Sequence, residues 1–254
     1  MLSGGIPLVL VGAASPACHP RSAAEPLKVA AAADLALAFR EMGDVFEKRT
    51  GQKVVLSFGA TGLLEKQIAE GAPFDVFAAG DVSFVDDAIG AGACVASSKA
   101  LYAKGRIVLV TRSDANPVRT LADLADGRIT KIAIANPAHA PYGKAAKQAM
   151  ERAGVWEGVR GKLVFGENVQ QTLEFVRSGN ASAGIVARSL VSAGAGSEET
   201  TWSEVPPSLY DPIVQAMVVC THGKAGVPAA LEFAAFVRSS DGRGVLDRYG
   251  FLPP

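Results

Sequence analysis

The chain has 254 residues, with 25 Lys and Arg against 25 Asp and Glu, 49% hydrophobic residues and three cysteines. That length suits one large or two modest domains, and the apolar content excludes a disordered, collagen-like or disulfide-framework chain. A zero formal charge lacks the basic surplus that phosphate-backbone contacts demand, so no nucleic-acid partner is expected, and three histidines and three cysteines leave little for a transition-metal cage.

Residues 1–24 read as an address rather than as fold. The apolar run Ile6 to Ala14 is too short to span a bilayer but suits a secretory signal, and Ser22-Ala23-Ala24 supplies the small residues a signal peptidase needs. No Lys or Arg precedes the run, so the true start codon and cleavage site stay open. Cys18 follows small residues as a lipid-bearing cysteine does. Ser15 stands where an aliphatic residue belongs and Pro16 intrudes, so no anchor is expected there. Cleavage would leave Cys94 and Cys220, either as a disulfide or as buried thiols.

From Leu27 short apolar runs alternate with amphipathic stretches. Lys28 to Ala33 reads as a small-residue strand, and apolar residues at 35, 38, 39, 42, 45 and 46 share one helical face, with Asp34 at the expected N-cap. Gly51 closes that helix. A strand at Val54 to Phe58, a helix at Thr61 to Glu70, a strand at Asp75 to Ala79 and a helix at Val82 to Ile89 follow. The pattern then repeats. Strands are expected at Arg106 to Val110, Lys131 to Ala135, Leu163 to Phe165 and Ala183 to Val186. Helices are expected at Leu121 to Leu124, Tyr142 to Ala153 and Val169 to Ser178. A loop at Ala193 to Ser197, a long apolar strand at Ile213 to Cys220 and helices at Pro228 to Arg238 and Gly242 to Tyr249 complete the chain. This order predicts an α/β protein of two domains, 25–105 plus 214–254 and 106–213, each a mostly parallel sheet flanked by helices with a cleft between them.

Signatures of catalysis are missing. The chain holds no G-x-S-x-G elbow, no H-E-x-x-H helix and no phosphate-binding loop, since Gly143-Lys144 runs into Ala145 and Gly223-Lys224 into Ala225. His139 and His222 read as separate surface loop residues, and Asp86-Asp87 and Glu198-Glu199 as solvated surface. Binding signals are better. Strand ends meet helix starts at Ala33-Asp34, at Gly59 to Gly62, at Pro141 to Gly143 and at Asn168-Val169. Each helix start offers unpaired N–H groups and a partial positive charge, enough for an anion without Lys or Arg. Taken singly, each junction reads more readily as only a cap or a tight turn than as an anion site.

Together, AAADL (31–35), SFGATGLLEKQIAEGAPFDVFAAGD (57–81), ANPAHAPYGKAA (135–146), GENVQQTLEFVRSGNASAGIV (166–186) and RYGFLPP (248–254) resemble the periplasmic molybdate-binding proteins of ABC transporters. The resemblance covers about Leu27 to Pro253. It implies a type II-like periplasmic-binding-protein fold that captures molybdate or tungstate outside the cytoplasm and hands it to a membrane permease. It further implies a monomer with no cofactor, no catalytic residue and no side chain bonded directly to the metal. By that resemblance Ala33, Asp34, Thr61, Tyr142 and Val169 hold the oxyanion, through the Thr61 hydroxyl and N–H and the N–H groups of Tyr142 and Val169. Ala187 stands where other members carry a tyrosine, and the Tyr142 hydroxyl is the expected replacement, closing over the ligand.

Asp34 departs from the Ser or Asn of other members, and a carboxylate beside a dianion repels it. The expectation is that its side chain caps its own helix while its N–H faces the ligand. Its presence keeps a sulfate, phosphate or organic-acid binder in view. Two remoter alternatives are a hydrolase using Asp34 and a histidine, and a cytosolic oxyanion sensor.

Overall fold

The computed structural model describes residues 25–192 and 197–254, together with Met1. The expected signal segment, Cys18 and most of the Ala193 to Ser197 loop lie outside the described residues. Among the described residues the strands form two five-stranded sheets.

The first half of the chain runs β1 (Leu27–Ala32), α1 (Ala36–Thr50), β2 (Val54–Gly59), α2 (Thr61–Ala69), β3 (Val76–Ala79), α3 (Val82–Gly90) and β4 (Ala100–Gly105). Then come β5 (Ile107–Arg112), β6 (Ile132–Ala135), α4 (Pro141–Arg152), α5 (Trp156–Val159), β7 (Leu163–Gly166), α6 (Val169–Arg177), β8 (Ala183–Ala187) and β9 (Thr200–Glu204). The chain finishes with β10 (Ile213–Val219), α7 (Val227–Arg238) and α8 (Ser240–Arg248).

Sheet order is β2-β1-β3-β10-β4 in one lobe and β7-β6-β8-β5-β9 in the other. In each, the first three strands are parallel and the remaining pairings antiparallel, so the two-domain α/β architecture is present with sheets more mixed than the sequence suggested. The parallel strands β3 and β6 read VFAA and IAIA and are buried throughout, as strands covered on both faces must be. α1 stops at Gly51, whose φ of 74° is the left-handed closing turn that glycine takes without strain.

The strands missed by periodicity, β4 and β9, lie at the sheet edges. The latter, TTWSE, is mostly exposed and carries no apolar alternation to detect. The stretch expected to be helical near Leu121 to Leu124 is a 3₁₀ turn, Ala122–Ala125, and the strand expected from Arg106 begins one residue later. Arg106 instead sits between β4 and β5, where its guanidinium donates to the Gly250 carbonyl at 2.8 and 3.1 Å. Gly105 faces Ile213 across the β4–β10 pairing, so the two passages of chain between the sheets run side by side.

Candidate functional site

In both lobes, the helical turns that follow the two outermost parallel strands start at one place. A narrow pocket is lined by Ala32, Ala33 and Asp34 at the end of β1 and by Gly59, Ala60 and Thr61 at the end of β2. Ala140, Pro141 and Tyr142 after β6, and Asn168 and Val169 after β7, close it from the other lobe. All five sequence-predicted ligand residues are therefore brought together, at the carboxyl ends of the parallel strands where open α/β sheets bind ligands.

Backbone donors dominate this pocket. Pro141 occupies the first turn of α4 and has no N–H, which makes Tyr142 the first donor of that helix. Gly143 must be glycine, because a Cβ there would lie 2.0 Å from the Ala135 carbonyl oxygen. Asn168 caps α6, its Oδ1 accepting from the N–H groups of Gln170 and Gln171 at 3.0 Å each. The cap leaves the N–H of Val169 to the pocket. On the first lobe, Thr61 starts α2 and is 1% exposed; its Oγ1 accepts from the Gly80 N–H at 3.2 Å, so the hydroxyl proton remains free to donate.

One side-chain expectation, the Asp34 cap, is corrected by the geometry. A 3₁₀ turn, Ala33–Leu35, separates β1 from α1, which puts Leu35 at the N-cap and Asp34 inside the turn with no capping bond. The Asp34 carboxyl instead reaches across the cleft: Oδ2 accepts from the Tyr142 hydroxyl at 2.8 Å and from Gln215 Nε2 at 2.6 Å. The Tyr142 hydroxyl in turn accepts from Gln215 Nε2 at 3.1 Å, so in this structure its proton goes to Asp34. Ala187, at the end of β8, is buried in the core and is not among the residues lining the pocket.

Asp34, Tyr142 and Gln215 are 1%, 3% and 0% exposed. Burial pushes the Asp34 carboxyl up to about 6, against the pull of the bonds from Gln215, Tyr142 and its own N–H. Burial and the nearby Asp34 push the Tyr142 hydroxyl well above its ordinary value, so it stays protonated and donating. Among the described residues, Asp34 Oδ1 and Gln215 Oε1 have no hydrogen-bond partner. Gln215 went unremarked in the sequence. Its signal was there: one polar residue inside the apolar strand IVQAMVV.

Further bonds join the lobes around the pocket. Ser189 Oγ donates to the Asp34 carbonyl at 2.7 Å, and the Gly62 N–H donates to the His139 carbonyl at 2.9 Å. His139 is held by its ring, with Nε2 3.0 Å from the Glu167 carbonyl, while His222 is exposed and distant in sequence. Among the described residues no group of three His, Cys, Asp or Glu side chains is arranged to hold a metal ion, and no helix is long and apolar enough to cross a membrane. Cys94 and Cys220 are buried thiols whose sulfurs lie 2.9 Å apart, joined by an isolated antiparallel bridge.

A two-lobed α/β chain with helix starts converging on one cleft is the plan of a solute-binding protein. Residues 27–252 match the family of bacterial extracellular solute-binding proteins, and the chain belongs to that family. It is 37% identical over 245 residues to the molybdate-binding protein ModA of Azotobacter vinelandii, with 96% of each chain covered. It is 36% identical over 251 residues to ModA of Rhodobacter capsulatus, covering 98% of this chain and 96% of that one. The structure of the Azotobacter vinelandii periplasmic molybdate-binding protein superposes with a TM-score of 0.83 at 28% identity, covering 90% of this chain and 99% of that chain.

Proposed function

We propose that this protein captures molybdate, and tungstate with it, outside the cytoplasm and delivers it to the permease of an ABC transporter. The observation that carries this reading is the convergence of three α-helix N-termini and the 3₁₀ turn after β1, from two lobes, on one pocket. A tetrahedral oxyanion has four acceptor corners, and partial positive charges at helix starts meet them without a counter-ion that would slow release. Relatives named for molybdate at 37% and 36% identity select that oxyanion among those of the same shape.

In this reading Ala33, Asp34, Thr61, Tyr142 and Val169 form the shell, with Thr61 giving its hydroxyl proton and the others their N–H groups. The lobes, 25–105 plus 214–254 and 106–213, rock about the paired passages at Gly105-Arg106 and Ser208 to Ile213. Closure buries the ligand, and the closed shape is what the permease reads. Fixed donors cannot contract around a smaller anion without losing hydrogen bonds, which disfavours sulfate.

Calorimetry of the chain from Glu25 onward with molybdate, tungstate, sulfate and phosphate tests this. Tight binding of the first two and weak binding of sulfate is the expected result. Equal affinity for sulfate removes the size argument, and tighter phosphate binding reassigns the ligand.

A further inference from the structure

An acid in the middle of an anion site calls for a physical account. Asp34 is one of the residues lining the pocket; its Oδ2 is filled by two neutral donors, and its buried Oδ1 has no partner among the described residues. Its own N–H also lies against the carboxyl. Among the described residues no cation compensates it. Arg40 on α1 stacks over Phe58, and Arg188 pairs with Glu204. On α6 the guanidinium of Arg177 is paired with Glu174 and Glu199. On α4, Lys147 pairs with Glu151 and Arg152 with Asp211, while Lys144 is exposed. The other titratable groups that face Asp34 are the buried phenols of Tyr142 and Tyr102, both held protonated. β2 and β10 present no charged side chain to it.

A carboxylate buried without a cation, next to a dianion, is doubly disfavoured. A carboxylic acid in the same place is not, because its O–H becomes one more donor for the anion. Resting on the molybdate reading, we infer that Asp34 enters the site as a neutral acid whose unpartnered oxygen carries a proton to the bound oxyanion, so that loading takes up one proton from solvent. Oδ2 keeps accepting from Tyr142 and Gln215. The Oδ1–H bond is the one bond formed, the proton comes from water or buffer, and nothing is oxidised or reduced. Burial has already raised the affinity of this carboxyl for a proton, and an adjacent dianion raises it further. Molybdate is itself fully deprotonated near neutral pH, so the proton must be supplied at the site.

The experiment is titration calorimetry of the chain from Glu25 onward with sodium molybdate, in buffers of different ionisation enthalpy, at pH 6, 7, 8 and 9. The same series is run on Asp34→Asn, whose amide donates without a proton. The expected result is close to one proton taken up per molybdate at pH 8, with affinity falling about tenfold per pH unit between 7 and 9. Asp34→Asn then takes up none, shows no such slope, and binds more tightly than the parent at pH 9. Proton uptake needs only the parent protein, so it decides the matter even if the variant folds poorly. Binding by the parent with no proton taken up and no slope overturns the inference while leaving the molybdate reading intact. No molybdate binding by either protein at any pH overturns both.

Discussion

The two lobes share a sheet plan yet build their halves of the pocket by different means. Around β6, the middle of its three parallel strands, the second lobe uses ordinary helix-start chemistry: Pro141 in the first turn of α4, behind an uncapped Ala140, and Asn168 capping α6 through Oδ1. Those side chains look after their own helices and leave N–H groups for the ligand. Around β1, the first lobe has alanines at the helix starts, Ala32 and Ala60, with no side-chain caps. Its polar side chains are thereby released. Thr61 holds the Gly80 N–H and keeps its proton to give, and Asp34 crosses to Tyr142 of the other lobe. The second lobe commits its side chain at Asn168 to its own helix, and the first adds a hydroxyl proton from Thr61 and a carboxyl that bonds across to Tyr142.

The largest effect expected from this division is on the whole protein. If both halves grip one anion, molybdate at a thousandfold excess over Kd should stabilise the fold by about 4 kcal/mol, and sulfate at equal concentration should barely do so. Differential scanning calorimetry checks this, and a single shifted transition is expected. A trace that splits, with one lobe shifted and the other unmoved, would break the picture of a shared grip.

Next comes the pH dependence without ligand. The Asp34 carboxyl is raised to about 6 in the fold, so between its unfolded value near 3.8 and about 6 the native state binds the extra proton. Stability contributed by the neutral form is therefore present at low pH and lost as pH rises through about 6, by up to about 3 kcal/mol. Asp34→Asn should be more stable than the parent at pH 7.5 and lose that advantage near pH 4. Urea titrations at the two values measure it. Equal stability of the two proteins at pH 7.5 would show that the buried carboxylate is compensated by a route the geometry does not contain.

This contrast also explains what could be read from the chain before its fold was known. The second lobe's junctions carry local signals, proline at a helix start and Asn before a helix, and these report their own geometry. β3, β6 and β8 were legible because burial on both faces demands continuous apolar runs. Asp34 misled for the same reason that made it conspicuous. An acid before an amphipathic stretch is a good local cap, and only the approach of Tyr142 and Gln215, 108 and 181 residues away in sequence, shows the carboxyl turned elsewhere. Long-range pairing leaves no periodicity. Gly105 is similar: a Cβ there would lie 2.0 Å from the Tyr142 hydroxyl oxygen, a constraint written in the other lobe.

Thr61→Ala separates side-chain from backbone contribution in the first lobe. It removes one hydroxyl donor to a charged ligand and leaves the Gly80 N–H without its acceptor. Oxyanion affinity should fall by roughly 1.5–3 kcal/mol, the range for a hydrogen bond to a charged group, with the fold retained. Thr61→Ser should restore most of it. Unchanged affinity in the alanine variant, measured by calorimetry, would confine Thr61 to holding the Gly80 turn.

The smallest effect is the most diagnostic of the second lobe. If Asn168 serves only α6, then Asn168→Ala should cost about 0.5–2 kcal/mol of stability through the lost cap and weaken the oxyanion less than Thr61→Ala does. Part of that weakening is unavoidable, because a frayed first turn no longer aims the Val169 N–H. Asn168→Asp tells the two roles apart. Aspartate caps about as well as asparagine, so stability should hold, and a negative charge at the mouth of the pocket should lower affinity for a dianion. The affinity loss should shrink with added salt, since the site's rim is more screened than its floor. Suppose instead that the alanine variant keeps its stability and loses affinity as Thr61→Ala does. The Asn168 side chain would then be a ligand contact rather than a cap, and the distinction between a backbone lobe and a side-chain lobe would not survive.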